Sequence, residues 1–428
     1  MNAFYVIGLI LLLAAGVPVA VSMLLVGISG VLIAGVPLDI LGQRMAFGID
    51  SFTLIALPMF LLMGNLMNAS GVTQRIFDFA LAMVGHWRAG LAQVNVLGSM
   101  VFAGMSGSAL ADAAGLGSVE IRAMKMKGYS PAFSAAITAV SATVGPVIPP
   151  STVAVLFAYI ADVSVGRLFL AGVTPGLMMV AIQMVIVHWR GKSMALPKYV
   201  KATGRERLTA TWVALPALAV PFCIIIGMYS GIFTATEVSA TGALYALVLA
   251  GFYHRSTSRT ELVGAFRDSA LSTGGIMLIV ASANVFAWIL ARERIPQEIT
   301  QAVVNMGLEA WQLLLLLNVL LLLLGMVLDT AGMLILVTPV VMPAIHAVGI
   351  DPVHFGMVMI VNMMIGLIHP PVGMALFIVS NLSGASILSV ARECIPFIVG
   401  FIAVLLLITY IPSLVLWLPD LVYGKTHP

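Results

Sequence analysis

Charge is what this chain has least of. Asp, Glu, Lys and Arg together make up 9% of its 428 residues, against roughly 25% in soluble domains. A globular cytoplasmic enzyme could not cover its surface with so few, and a disordered chain would be poorer in apolar residues and richer in charge. Neither sign dominates: 20 basic and 17 acidic side chains leave a formal +3, which carries no signal of a nucleic-acid partner. Cysteine is nearly missing. Cys223 and Cys394 sit in apolar runs without metal-ligand spacing and read as small core residues. No basic stretch precedes the first apolar run, residues 1–15, so it is expected as a first span and not as a cleaved leader. No Gly-rich loop ending in Lys-Ser or Lys-Thr occurs, so no nucleotide is expected to drive the protein.

What is present is apolar surface. Hydrophobic residues make up 61% of the chain, and the mean hydropathy is +1.11. At about 20 residues per span, this is a polytopic membrane protein with room for about ten helices and a few shorter insertions. Residues 4–34 divide into two short helices at Gly16-Val17-Pro18, and a span follows over 51–67. The more polar stretch 72–88 resembles a helix lying at the interface. Residues 91–127 are interrupted at Ser106-Gly107-Ser108, residues 131–159 at 145–150, residues 311–348 at 325–332, and residues 354–380 at 366–371. Spans over 168–187, 212–228, 238–252, 276–290 and 395–414 complete the chain.

Loop charges set the orientation. Arg190, Lys192, Lys198, Lys201, Arg205 and Arg207 stand against the single acid Glu206, and Arg255, Arg259 and Arg267 follow two spans later. The positive-inside rule puts both segments in the cytoplasm. Arg88 and the group Arg122, Lys125 and Lys127 then also fall inside, so residues 91–127 enter the membrane and return.

The chain repeats itself. A shift of 221 residues pairs Gly104-Met105 with Gly325-Met326, Pro131 with Pro352, Gly145 with Gly366, Pro149-Pro150 with Pro370-Pro371, and Pro175 with Pro396. Parity puts the ends of the first hairpin inside and those of the second outside. The expected fold is an all-α polytopic membrane protein built of inverted-topology repeats, with two re-entrant hairpins and two broken helices. Its division is 1–90, scaffold and first arm helix; 91–188, first half of the transport domain; 189–207, cytoplasmic basic loop; 208–306, scaffold and second arm helix; 307–428, second half of the transport domain. Such paired interruptions mark transport sites near the midplane.

The chemistry of the breaks is legible in their residues. Prolines in Gly145-Pro146-Val147-Ile148-Pro149-Pro150 remove amide donors and free carbonyl oxygens, a donor set suited to a small hard cation such as sodium. Gly366-Leu367-Ile368-His369-Pro370-Pro371 repeats the design with two of the three prolines. The hairpin tips add Ser106, Ser108 and Asp112 in one half, and Asp329 and Thr330 in the other. Amide ends of half-helices favour an anionic substrate. Either Asp has the alternative of capping a half-helix, and Glu237 reads as a cap. The methionines at 357, 359, 363 and 364 read as packing.

These runs, with Phe233-Thr234-Ala235-Thr236-Glu237, Gly325-Met326-Val327-Leu328-Asp329 and Pro370-Pro371-Val372-Gly373, resemble the large membrane (M) subunit of tripartite ATP-independent periplasmic (TRAP) transporters over essentially the whole chain. The resemblance implies sodium-coupled uptake of a carboxylate-bearing solute, such as a dicarboxylate or sialic acid, by an elevator motion in the bacterial inner membrane. It implies three partners: a small four-helix membrane (Q) subunit on a separate chain, a periplasmic substrate-binding (P) protein, and membrane lipid. Carried over by motif, one sodium site would use Ser106 with carbonyls around Gly145, Ile148 and Pro150. The other would use Gly325, Gly366, His369 and Pro371, with His369 where many members have threonine. Substrate would lie between the tips, near Ser108, Asp112, Thr152, Asp329 and Thr330. A stand-alone sodium/dicarboxylate symporter is the competing transport reading. An intramembrane serine protease built on Ser106 lacks a histidine in the same hairpin to act as base, so no enzymatic activity is expected.

Overall fold

The computed structural model describes residues 2–192, 199–253, 258–326, 328–370 and 373–425. Lys198, Arg255, Val327, Pro371 and Val372 lie outside the described residues. Every regular element among those described is helical. Helices α1 (Asn2–Ala14) and α2 (Val19–Ile33) part where Gly16 takes a φ of 79° ahead of Pro18. Helices α3 (Asp39–Ile49) and α4 (Ala56–Ala69) meet at a bend of 65°. The apolar pattern passes over α3, because Asp39, Gln43 and Arg44 interrupt it. Helix α5 (Val72–Val84) buries Val72, Ile76, Phe77, Ala80 and Val84 on one stripe, the pattern of an amphipathic helix.

The first hairpin is α6 (Gly90–Ser106) with α7 (Ala109–Ala114) and α8 (Leu116–Met126). The first broken helix is α9 (Pro131–Ala142) with α10 (Thr152–Ala161), followed by α11 (Val165–Arg190). The second half runs α12 (Gly204–Tyr229), α13 (Ala235–Val248), α14 (Arg259–Arg292) and α15 (Ile295–Asn305). Its hairpin is α16 (Ala310–Gly325) with α17 (Thr330–Ala347), and its broken helix α18 (Pro352–Ile368) with α19 (Met374–Ser383). Helices α20 (Ile387–Tyr410) and α21 (Ser413–Tyr423) end the fold.

Helix boundaries keep the 221-residue register. Pro131 opens α9 and Pro352 opens α18, where a proline loses no helical hydrogen bond. Ser108 caps α7 by accepting from the Ala111 amide, and Asp329 caps α17 by accepting from the Gly332 amide. The second arm of each hairpin packs on the far half of the other broken helix: α7 and α8 on α19, and α17 on α10. Within each half, buried polar side chains join hairpin to broken helix. Asn95 of α6 donates to Thr138 of α9 at 2.7 Å, and Asn362 of α18 donates to Asn318 of α16 at 3.1 Å.

Five described helices are long and apolar enough to cross a bilayer alone, namely α11, α12, α14, α17 and α20, and the bent α3–α4 pair adds a sixth. The remaining apolar helices have 10–17 residues. At about 1.5 Å per residue they fall short of a hydrocarbon core about 30 Å thick. The shorter helices include most arms of the two hairpins and two broken helices, together with α1, α2, α13 and α21. Met357, Met359, Met363 and Met364 are all buried, as a packing face should be. Cys394 is buried but Cys223 is exposed on α12. This corrects the core assignment of Cys223: in a bilayer an apolar neighbourhood also describes the lipid-facing surface, and adjacent Phe222 is exposed as well.

Candidate functional site

The first hairpin tip is seated on the first break. Gly107 has a φ of 59°, in the left-handed region that favours glycine. A Cβ there would lie 2.5 Å from the Pro150 carbonyl oxygen and 3.3 Å from the Thr152 amide. Gly145 approaches the tip from the other side, 3.4 Å by the same measure from the Ser108 carbonyl carbon. Thr152 closes the seam, donating its hydroxyl to the Gly107 carbonyl at 3.1 Å. Ser151 caps α10 and donates its own hydroxyl to the Pro146 carbonyl.

The break itself is wound so that some carbonyls stay bare. The Val144 carbonyl accepts from both Val147 and Ile148. Among the described residues, no N–H or O–H reaches the carbonyl oxygens of Gly145, Ile148 or Pro150. Ser106, at the end of α6, has its backbone against Gly64 of α4, where a Cβ would meet the Ser106 Cα at 3.0 Å. Buried carbonyls without donors are costly unless something else satisfies them. Of the sequence-derived set, Pro150 and Gly145 meet the hairpin tip at Gly107 and Ser108, while the Ile148 side chain packs against Gly176 of α11 and Ser106 against Gly64 of α4.

The second seam is a close backbone approach as well. A Cβ on Gly366 would lie 3.0 Å from both the Cα and the carbonyl oxygen of Gly325, so two backbones touch where any side chain would part them. His369 turns extended after α18, its amide bonded to the Gly366 carbonyl at 3.2 Å and its ring Nδ1 2.6 Å from the Pro370 carbonyl. That contact makes Nδ1 the donor on the ring.

A cavity of about 540 Å³ opens on the second tip. Gly325, Asp329, Thr330 and Gly366 line it, facing Pro18 of the α1–α2 turn and Gly275 of α14. Ser106, Ser108, Asp112 and Thr152 do not line it. The five side chains expected around a substrate are therefore not brought into one cavity. Ser108, Asp329 and Thr330 are half-buried, and both Ser108 and Asp329 serve as caps. Thr152 spends its hydroxyl on the seam. Asp112 is 1% exposed, because its place one turn into α7 aims it inside the hairpin. Glu237 forms a capping box with Thr234, the role its position at a helix start foretold.

Residues 6–414 match the family described as tripartite ATP-independent periplasmic transporter, DctM component. The chain belongs to this family. It is 39% identical over 414 residues to the sialic acid TRAP transporter large permease protein SiaM of Vibrio cholerae, covering 96% of this chain and 97% of the relative. It is 40% identical over 371 residues to the C4-dicarboxylate TRAP transporter large permease protein DctM of Pseudomonas aeruginosa, covering 87% of each. Among solved structures, the YdaH transporter of Alcanivorax borkumensis shares the fold at a TM-score of 0.65 and 13% identity, with 89% of this chain and 88% of that one aligned. A TRAP large permease is a transport protein and not an enzyme. An all-helical multi-pass chain of this bacterial family lies in the inner membrane, since helices satisfy their own backbone within lipid.

Buried Glu120 was missed by sequence reasoning. It is 1% exposed, yet its neighbours Arg122, Lys125 and Lys127 made its segment read as the hydrated end of the hairpin. No local spacing marked it, because Asp112 and Glu120 lie on separate helices, α7 and α8, divided at Gly115.

Proposed function

We propose that this TRAP permease couples entry of sodium to uptake of a carboxylate-bearing solute handed over by a periplasmic binding protein. The observation that carries the reading is the pair of seams, each a hairpin tip seated on a broken helix. In the first, the Gly145, Ile148 and Pro150 carbonyls have no donor among the described residues, and with the Ser106 hydroxyl at the end of α6 they would make an oxygen-only donor set that suits a hard monovalent cation. In the second, the Gly325 and Gly366 backbones meet, but the Gly366 and His369 carbonyls accept from the His369 and Gly373 amides, so a cation there would share oxygens already bonded; Pro371 lies outside the described residues. Relatives named for sialic acid, C4-dicarboxylates and 2,3-diketo-L-gulonate support an acid as cargo. Ser108, Asp329 and Thr330, half-buried at the two tips, are the side chains nearest to where such an anion would meet the ends of α7 and α17.

The two hairpins and two broken helices interlock across the halves, which favours their motion as one body, as an elevator requires. Helices α12 and α13 would then belong to the static part and carry the small four-helix membrane subunit, with α5 and α15 as arms. The test is uptake into proteoliposomes holding this chain, the small subunit and the binding protein. Uptake should need an inward sodium gradient and the binding protein, and no nucleotide. Full-rate uptake with potassium replacing sodium overturns the coupling, and full-rate uptake without the binding protein overturns the delivery step.

A further inference from the structure

The tip seams leave one pair of polar groups unused. Asp112 on α7 and Glu120 on α8 are each 1% exposed. No hydrogen bond reaches any of their four carboxyl oxygens. The Glu120 carboxyl group fills space that Gly98 of α6 leaves open, since a Cβ on Gly98 would sit 2.8 Å from Oε1. Ser99 is the next residue of α6, and α6, α7 and α8 all pack on one another.

The polar chain beside them has a direction. Ser99 donates its hydroxyl to Ser141 at 3.0 Å, Ser141 donates to the Asn95 carbonyl oxygen at 2.6 Å, and the Asn95 amide donates to Thr138 at 2.7 Å. With its proton given to Ser141, Ser99 has no hydroxyl hydrogen left to donate to a neighbouring acid. Positive charge does not make up the difference. Helices α4, α6, α9 and α19 carry no titratable side chain. Helix α5 carries Arg75, which is half-buried, and Asp78, which is exposed and bonded to Gln74. On α8, Arg122 is exposed and Lys125 donates to the Ser383 carbonyl at 2.6 Å. Neither acid takes part in an ion pair.

Two buried carboxylates in such surroundings would each forfeit several kcal/mol of hydration with nothing in return. A carboxylic acid has the one feature the surroundings lack, a donor. We propose that Asp112 and Glu120 form a proton-binding pair inside the first hairpin, both held as neutral acids while the hairpin is packed and released only when it loosens enough to admit water. Packing of the hairpin is then linked to proton uptake. The sign follows: protons bound in the folded state and lost on unfolding stabilise at low pH, and that contribution fades as pH rises. The folded-to-unfolded ratio falls about tenfold per pH unit for each proton held.

The test uses the full chain in lipid nanodiscs. Infrared spectra at neutral pH should show protonated-carboxyl C=O stretching that shifts in heavy water and loses one component in Asp112→Asn and another in Glu120→Gln. Melting of the unmodified chain should fall more steeply with rising pH than melting of the double amide variant. Where the double variant does not fold, Glu120→Gln alone and the band of the unmodified chain decide. An absent acid band, or a shared pH profile, overturns the proposal. So does recovery of melting at alkaline pH by sodium or potassium chloride in the unmodified chain alone, which would make the pair a metal-cation site.

Discussion

Substituting Gly107 by alanine strikes the first seam at its narrowest point. The new methyl group would sit 2.5 Å from the Pro150 carbonyl oxygen, on a residue whose φ is 59°. Left-handed backbone costs an alanine about 1 kcal/mol, and overpacking against a fixed backbone adds about 1–3 kcal/mol. The strain is relieved only if the tip backs away from Pro150, one of the oxygens assigned to sodium. A loss of about 3 kcal/mol, at 1.4 kcal/mol per tenfold, weakens sodium binding on the order of a hundredfold. Gly128→Ala is the control, because Gly128 has a φ of 85° but nothing within 4 Å of a Cβ; it carries the backbone penalty without the clash. Both proteins, purified in nanodiscs, are melted across a sodium titration. Gly107→Ala should need about a hundredfold more sodium for half its thermal stabilisation, and Gly128→Ala should melt slightly lower with unchanged sodium affinity. An unaltered titration in Gly107→Ala would show that the seam between tip and break does not hold the ion.

Gly366→Ala should act on the second seam alone: its Cβ would meet the Gly325 backbone at 3.0 Å, so one phase of the sodium-dependent stabilisation should disappear while the other keeps its midpoint, and loss of both or neither would contradict two separate sites. Ser106→Ala removes a hydroxyl that neither caps a helix nor donates to a described partner, so sodium-free melting should hold while sodium affinity falls about tenfold, the worth of roughly 1.4 kcal/mol from one charge-assisted ligand. Equal sodium affinity in Ser106→Ala would leave the first site to backbone oxygens only.

Much of this was legible because the breaks are written in proline and glycine, whose backbone effects are local. Pro131 and Pro352 fixed two helix starts, and Gly107 marked a tip that the structure bends at the same residue. The capping roles of Asp329 and Glu237 were readable for the same reason, whereas Ser108, read as a substrate residue, caps α7. What hydropathy could not give was which way a side chain faces. Asp112 looked like a tip residue by its spacing from Ser108, yet helical rotation turns it inward. Helix α21 went unforeseen because Pro412 and Pro419 punctuate a short apolar run; Arg167 of α11, whose guanidinium pairs with Asp420 at 2.6 Å, ties that helix down. Such a long-range pair leaves no trace in local pattern.

The two halves repeat in helix boundaries but not in their surroundings, and that difference bears on how the protein works. The first tip is sealed, with Gly107 on Pro150 and the Thr152 hydroxyl bonded across. The second tip opens onto a cavity of about 540 Å³ walled by α14 and the α1–α2 turn. An identical pair would hold both sites in the same state, and a symmetric carrier of that kind would face neither side. In a carrier built from oppositely oriented repeats, one sealed tip and one open tip define a single direction of access, and exchanging the two arrangements between the halves reverses it. The packing of α7 and α8 on α19, and of α17 on α10, would have to break for either hairpin to make that exchange alone. The bare carbonyls add a second restraint, because a seam that parts within the bilayer exposes backbone dipoles costing several kcal/mol each. On the proposed reading, moving the whole assembly against α14 and the α1–α2 turn alters access while both seams stay shut around their ions, which is the least costly path these contacts permit.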